Sequence, residues 1–137
     1  MRTLSNALWQ NERMGRSSPN RRTRLDEILD RDGPTCVWCR REVGVDLVEA
    51  TTEHVVPRLK GGPSWIENEV AACKRCNSRR GHKNLADWAN ECEQNGWEPD
   101  RDRLVATLEL LQDRIARDGG QRKARPYIKT QLRRLSW

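Results

Sequence analysis

Four cysteines in the sequence form two pairs with the same spacing, Cys36-x-x-Cys39 and Cys73-x-x-Cys76. A gap of two residues lets both sulfurs of a pair reach one tetrahedral ion at about 2.3 Å, as in structural zinc sites. Four thiolate ligands leave no coordination position open to a substrate, so we predict a Zn²⁺ site that stabilises the fold without taking part in catalysis. Two unrelated redox or buried pairs are the alternative interpretation.

The segment between the pairs, and just after them, carries other residue types that could do chemistry. It contains Glu53-His54-Val55-Val56-Pro57, then Gly61-Gly62, then Asn68, and Asn77 follows directly on Cys76. Taken singly, each has an ordinary explanation as a surface pair, a turn residue or a helix residue. Their order along the chain is more specific than any one of them.

This ordered set resembles the HNH endonuclease family, in which an acid-histidine pair, a glycine turn, a middle asparagine and a Cys-x-x-Cys-Asn segment occur in the same order. The resemblance covers about residues 36–83. It implies a ββα-metal fold, in which two strands and a helix hold one divalent cation against the scissile phosphate of DNA. The fold class expected is therefore α+β, with a small zinc-stapled ββα-metal core and flanking helices.

The resemblance also implies a role for each site residue. His54 would be the general base, because a neutral imidazole with an ordinary pKa of about 6.5 accepts a proton near neutral pH. Glu53 and Asn77 would hold a Mg²⁺ or Mn²⁺ ion through hard oxygen ligands. Asn68 would hold the loop and help to fix the base.

Two positions depart from the family pattern, and both concern the metal. Glu53 stands where Asp or His is more frequent, and its side chain is one methylene longer than that of Asp. Gly81 stands four residues after Asn77, where colicin-type members have a second histidine ligand, and His82 follows one residue later. The longer side chain of Glu53 would change its distance to the metal ion or the ion that it prefers. His82 would contact either the ion or a phosphate.

Positive charge is concentrated in two stretches of a chain whose formal net charge is +6 and whose pI is near 9.4. Residues 73–83 contain five Lys or Arg and no acid, and residues 121–137 contain six more without an acid. Such basic surfaces favour DNA as a partner, and a solvated face is the alternative. The residues predicted to contact nucleic acid are Lys74, Arg75, Arg79, Arg80, His82 and Lys83.

A short helix and a hairpin are predicted to position the site. Residues 21–31 have apolar side chains at helical spacing, with Thr23 as the predicted N-cap and Gly33-Pro34 as the stop. The runs VEATTEHVV and IENEVAAC have strand composition and are separated by turn residues, which indicates a hairpin. The second Cys-x-x-Cys is predicted to open a helix that carries the basic residues.

Three more helices are predicted after Gly81. Asn84 is the expected N-cap of the first, and the last is expected after Pro126. The helix between them has one apolar stripe, formed by Leu104, Leu108, Leu111 and Ile115. We accordingly divide the chain into a flexible tail (1–20), a nuclease core with the cysteine site (21–90) and a helical C-terminal extension (91–137).

Aromatic residues and the fifth cysteine are assigned to the core. Trp38, Trp65, Trp88 and Trp97 lack the spacing of a base-stacking platform, and Cys92 is alone. The stripe from Leu104 to Ile115 favours an intramolecular helix contact over a dimer seam, and the sequence leaves monomer and homodimer open.

The location expected for the protein is the cytoplasm. No stretch reaches the about 20 apolar residues that a membrane span needs, and the polar start lacks the apolar core of a secretory signal. Thiols are kept reduced in the cytoplasm, which favours metal binding over disulfides.

The function that these features favour is metal-dependent hydrolysis of DNA phosphodiester bonds, by cutting or nicking double-stranded DNA. Two alternatives share the cysteines and arginines. One is a zinc-containing nucleic-acid binding module without catalysis, and the other is a phage-packaging accessory module whose C-terminal helices dock a protein partner.

Overall fold

The structure is a computed structural model that describes residues 19–44 and 48–136. Almost all of the predicted N-terminal tail lies outside these residues. Within them, five α-helices surround a two-stranded antiparallel sheet, which confirms the α+β class. The elements in chain order are α1 (Arg21–Asp32), β1 (Ala50–His54), β2 (Glu69–Cys73), α2 (Lys74–Arg80), α3 (Leu85–Gln94), α4 (Arg101–Asp118) and α5 (Ala124–Leu135).

The two strands form the predicted hairpin, although both are shorter than the sequence runs. Ala50 pairs with Cys73 at one end, and His54 pairs with Glu69 at the other. Successive side chains of a strand point to opposite faces of the sheet, and directly paired residues share a face. His54 and Glu69 therefore lie on one face, with Thr52, whereas Glu53 and Val70 lie on the other.

Local sequence sets where the helices begin, with three differences from the prediction. Asn20, rather than Thr23, caps α1, because its side chain accepts a hydrogen bond from the backbone N–H of Thr23 at 2.9 Å. Asn84 occupies the N-cap position of α3, but its side chain donates to Asp87 and caps no backbone group. Helix α5 begins at Ala124, so Pro126 lies in its first turn, where no intrahelical N–H partner is needed.

A single hydrophobic cluster joins the cysteine segment to the C-terminal helices. The stripe of Leu104, Leu108, Leu111 and Ile115 is buried as predicted, and so is Cys92. Trp38 and Trp88 are buried in the same cluster, while Trp65 and Trp97 pack against it. The sequence-based boundary at residue 90 falls inside α3, so both predicted parts contribute to one core. None of the described helices is long and apolar enough to cross a bilayer.

The loop between the strands contains two short 3-10 helices, Arg58–Lys60 and Ile66–Asn68. Gly62 between them has no room for a side chain, because a Cβ there would meet the carbonyl oxygen of Val56 at 1.8 Å. Arg114 of α4 stacks on the Trp65 ring at 3.7 Å and pairs with Glu67 at 3.0 Å. Close packing at Gly62 and the contacts of Arg114 therefore hold this loop against the end of β1 and against α4.

Candidate metal centre and active site

The four predicted zinc ligands come together in space. The Sγ atoms of Cys36, Cys39, Cys73 and Cys76 all lie within 4.8 Å of one another, and all four thiols are free. Four sulfurs at about 2.3 Å from one ion would be roughly 3.8 Å apart, and Sγ of Cys39 lies 3.9 Å from Sγ of Cys73. The donor set and its size therefore fit Zn²⁺, which these four residues would hold.

Hydrogen bonds within the cluster shift two thiols in opposite directions, because the bond that Cys36 and Cys76 share lowers the pKa of Cys36 and raises the pKa of Cys76. The backbone N–H groups of Trp38 and Cys76 point at the Sγ atoms of Cys36 and Cys73, at 3.4 and 3.5 Å. A hydrogen bond from Cys76 lowers the pKa of Cys36 to about 5. The Arg41 guanidinium donates to Cys73 at 3.2 Å, and its charge offsets part of the charge that four thiolates would bring to a divalent ion.

Glu53 lies on the sheet face toward α2, and its side chain is only 5% exposed. Trp38 Nε1 donates to Oε2 at 3.2 Å, and Arg80 Nη1 lies 3.2 Å from Oε1. Burial raises the pKa of Glu53 to about 7, although Arg80 and Trp38 act in the opposite direction. The carboxyl group is therefore held in place by two donors, and its burial favours the neutral form unless a further positive charge is close.

Asn77 lies on α2, close to the same face of the sheet as Glu53. Its Nδ2 donates to Thr51 Oγ1 at 3.0 Å and to the carbonyl of Thr52 at 3.2 Å. These bonds turn the amide nitrogen toward β1 and the oxygen Oδ1 away from it. Each Glu53 oxygen has one neighbour of 3.2 Å among the described residues and can accept a second. Glu53 and Asn77 therefore retain oxygen capacity for a hard cation.

His54 lies on the opposite face, at the end of β1, with its side chain 19% exposed. Nε2 lies 3.0 Å from Ser64 Oγ and 3.6 Å from Glu69 Oε2. Burial, followed by the positive charges of Arg58, Arg24, Arg21 and Arg80, lowers the pKa of His54 to about 4. At neutral pH the imidazole is uncharged and can accept a proton.

Asn68 is fully buried and bridges the loop. Its Oδ1 accepts from the N–H of Val56 at 2.9 Å, and its Nδ2 donates to the carbonyls of Val56 at 3.0 Å and Pro63 at 2.9 Å. The N–H of Val55 donates to the Asn68 carbonyl at 2.9 Å. Asn68 thus joins the segment that follows His54 to the segment that carries Ser64.

The residues predicted to contact nucleic acid differ in their exposure to solvent. Lys74, Arg79, His82 and Lys83 are exposed. Arg75 is half-buried, with its guanidinium 4.6 Å from the centre of the Trp97 ring. Arg80 is only 1% exposed and donates to the carbonyls of His54 at 2.6 Å and Val55 at 3.0 Å. Since its guanidinium is buried and bonded to the backbone, Arg80 is not available for contact with DNA.

Sequence reasoning missed the residues that surround His54. Arg21 and Arg58 are exposed, and Arg58 Nη2 donates to Ser64 Oγ at 2.9 Å. Glu69 is completely buried, and its carboxylate accepts hydrogen bonds from Arg24 Nε at 2.7 Å and from Arg24 Nη2 at 3.3 Å. Burial raises the pKa of Glu69, against the effect of Arg24. Pairing the two predicted strands in register would have placed Glu69 opposite His54, but no sequence signal pointed to Arg24.

Comparison with known proteins bears on residues 36–93, which match a family model described as HNH endonuclease. This match confirms the resemblance that the motif order indicated. Among solved structures, the chain is similar to the Type II-C Cas9 enzyme from Actinomyces naeslundii, with 18% identity, a TM-score of 0.49 and 98% of this chain covered. The chain spans 13% of the length of that protein. A search of curated proteins returned no match.

Proposed function

We propose that the protein is an endonuclease that hydrolyses DNA phosphodiester bonds, and the match of residues 36–93 to the family model described as HNH endonuclease supports this proposal. The observation that carries this proposal is the environment of His54. Its imidazole is partly exposed, uncharged at neutral pH and surrounded by guanidinium groups. A neutral base among fixed positive charges suits an attack on a phosphodiester, which is an anion.

In the proposed reaction His54 accepts a proton from a water molecule while the water oxygen bonds to phosphorus. The bond from phosphorus to the 3′ oxygen then breaks, and that oxygen takes up a proton to become a 3′ hydroxyl. The other product carries a 5′ phosphate. The proton on His54 is released to solvent, which restores the neutral base and balances the hydrolysis.

Glu53 and Asn77 are proposed to hold the catalytic cation, Mg²⁺ or Mn²⁺. Such an ion supplies positive charge that stabilises the negative charge on the phosphate and on the leaving oxygen. The buried position of Glu53 and its contacts with Trp38 and Arg80 keep the carboxylate oriented. The bonds of Asn77 to β1 do the same for its amide. Zn²⁺ at the four cysteines is assigned a structural role, separate from the reaction.

DNA is proposed to contact two sets of exposed basic side chains. One set is adjacent to His54 and consists of Arg21 and Arg58, while the other lies on and just after α2 and consists of Lys74, Arg79, His82 and Lys83. Lys83 also pairs with Glu91 at 3.0 Å, so its contribution to DNA binding is expected to be smaller than that of Lys74 or Arg79. Phosphate contacts of this kind position the backbone and carry little sequence information. We therefore expect cleavage of double-stranded DNA with modest sequence preference.

Cleavage of supercoiled plasmid tests the proposed function. We expect nicked or linear DNA in Mg²⁺ or Mn²⁺, no cleavage after EDTA, and 5′ phosphate ends on the products. Zinc content is measured in parallel so that loss of the structural ion is not mistaken for loss of the catalytic one. Cleavage that persists in EDTA would contradict a cation-dependent mechanism. Tight DNA binding without cleavage in any metal would favour the binding module instead.

Arg58→Ala is expected to weaken DNA binding and to reduce the slope of log affinity against log salt by about one phosphate contact, or roughly 0.9. The reason is that Arg58 is exposed beside His54 and, among the residues that the structure describes, its recorded partner is the uncharged Ser64. Fluorescence anisotropy with one labelled duplex at several salt concentrations measures both quantities.

The matched control for this experiment is Arg101→Ala. Arg101 lies 2.7 Å from Glu93, so its charge is already neutralised by a carboxylate. We expect its removal to leave the salt slope unchanged. Equal slopes for Arg58→Ala and Arg101→Ala would remove Arg58 from the DNA surface.

A further inference from the structure

The pair formed by Arg24 and Glu69 is buried directly beside the proposed base. Arg24 is 8% exposed and Glu69 is 0% exposed. Arg24 donates through Nε and Nη2 to the two carboxylate oxygens, and through Nη1 to the carbonyl of Pro19 at 2.6 Å. A buried ion pair contributes little net stability compared with apolar residues of the same size. Packing alone therefore gives no reason for charges at these positions.

The register of the hairpin connects this pair to His54. Glu69 stands directly across from His54 on the same face of the sheet, and its Oε2 lies 3.6 Å from His54 Nε2. That distance is slightly longer than a hydrogen bond, so the carboxylate acts on the imidazole mainly through its charge. Arg24 donates to both carboxylate oxygens, to Oε1 at 2.7 Å and to Oε2 at 3.3 Å, and so fixes the orientation of Glu69.

The hydrogen bonds of Ser64 are compatible with a proton on Nε2 of His54. Its Oγ is 3.0 Å from His54 Nε2 and accepts a hydrogen bond from Arg58 Nη2 at 2.9 Å. A hydroxyl oxygen has two acceptor sites, so Ser64 can accept from Nε2 as well. Ser64 Oγ can thus accept from a protonated Nε2, and the charge of the Glu69 carboxylate, 3.6 Å away, favours the proton on that atom.

We propose that Glu69 is a positioning residue for His54, which keeps the imidazole proton on Nε2 so that Nδ1 is the atom that accepts the proton from water. This inference rests on the proposed function for the identity of the reaction, but the state of the imidazole can be tested without DNA. After proton transfer the same carboxylate faces an imidazolium and stabilises its charge. Arg24 acts through Glu69 by fixing the carboxylate.

Nitrogen NMR of the full chain tests the proposal directly. The sequence has only two histidines, His54 and His82, so a long-range proton-nitrogen correlation spectrum contains two ring patterns. His82 is exposed and serves as the internal reference for a ring that exchanges between both tautomers. We expect His54 to show a protonated Nε2 and an unprotonated Nδ1 in the wild-type protein, and a shift toward the averaged pattern in Glu69→Gln.

Kinetics of the same variants provide the second readout. Loss of a partner that orients a functional side chain typically costs about 10–100-fold in activity, so we expect kcat to fall by that factor in Glu69→Gln. KM for DNA should stay within about 2-fold, because a fully buried side chain does not touch the substrate. Glu69→Asp keeps the charge and should recover part of the rate. Glu93→Gln removes an exposed carboxylate that is paired with Arg101 and is the control.

The variants also cover the case in which Glu69→Gln does not fold. The double variant Arg24→Met with Glu69→Gln removes both charges, so no unpaired guanidinium is left in the interior. An averaged tautomer pattern for His54 in the wild-type protein, or the same pattern in the wild type and in a folded Glu69 variant, would overturn the proposal. The two proposals can fail separately. If the tautomer of His54 depends on Glu69 but the protein cuts no DNA, the positioning role of Glu69 stands and only the proposed function is wrong.

Discussion

Replacing His54 with alanine is expected to lower the rate of plasmid cleavage by about two to four orders of magnitude, the usual contribution of a positioned general base. The expectation follows from an imidazole whose lowered pKa of about 4 keeps it uncharged at neutral pH. The side chain is 19% exposed, so its removal leaves the packing of the core largely unchanged. DNA affinity should change little, because the arginines near His54 remain.

Adding free imidazole to the His54→Ala protein provides a second test of the role of His54. The alanine variant has a partly open space where the ring was, and free imidazole is expected to restore part of the cleavage rate. Gln112→Ala, on the exposed surface of α4, is the control and should cut plasmid like the wild-type protein. Full activity in a folded His54→Ala protein with one zinc bound would remove His54 from the mechanism.

Replacing Cys36 with serine, or removing Zn²⁺ with a strong chelator, is expected to abolish cooperative folding of the protein. Structural zinc contributes about 10–16 kcal/mol of apparent binding energy in zinc-finger peptides, whereas the net stability of a typical domain is about 5–15 kcal/mol. The cysteine site links the loop at residues 36–39 to the junction of β2 with α2. Without the ion, nearby thiolates would repel one another instead of being bridged.

Thermal unfolding combined with zinc analysis measures this effect, and Cys92→Ala is the matched control. Cys92 is as deeply buried as Cys36 but does not belong to the four-sulfur cluster. We expect Cys92→Ala to retain one equivalent of zinc and a cooperative transition at a slightly lower Tm. A Cys36→Ser protein that has lost zinc and still unfolds at the wild-type Tm would show that the cysteines do not stabilise the fold.

Local patterns were enough to predict most of the framework. The spacing of the cysteines predicted a cluster that the structure brings together, and the residues of β1 and β2 predicted the hairpin. The stripe of α4 was confirmed because its period depends on the helix alone. The differences at helix starts, such as Asn20 in place of Thr23, involve caps, where several neighbouring residues are chemically suitable.

Sequence alone determined which residues form the motif that resembles HNH endonucleases and in what order they occur, because ligand spacing and strand or helix period are local properties of the chain. Tertiary structure alone decided how these residues are used. It turned Glu53 toward Arg80 and His54 toward Glu69, since adjacent side chains of a strand face opposite sides and meet different elements. It also buried Arg80 and placed Arg24 against a carboxylate 45 residues away. Such partners are chosen by the packing of distant segments, and no local pattern records them.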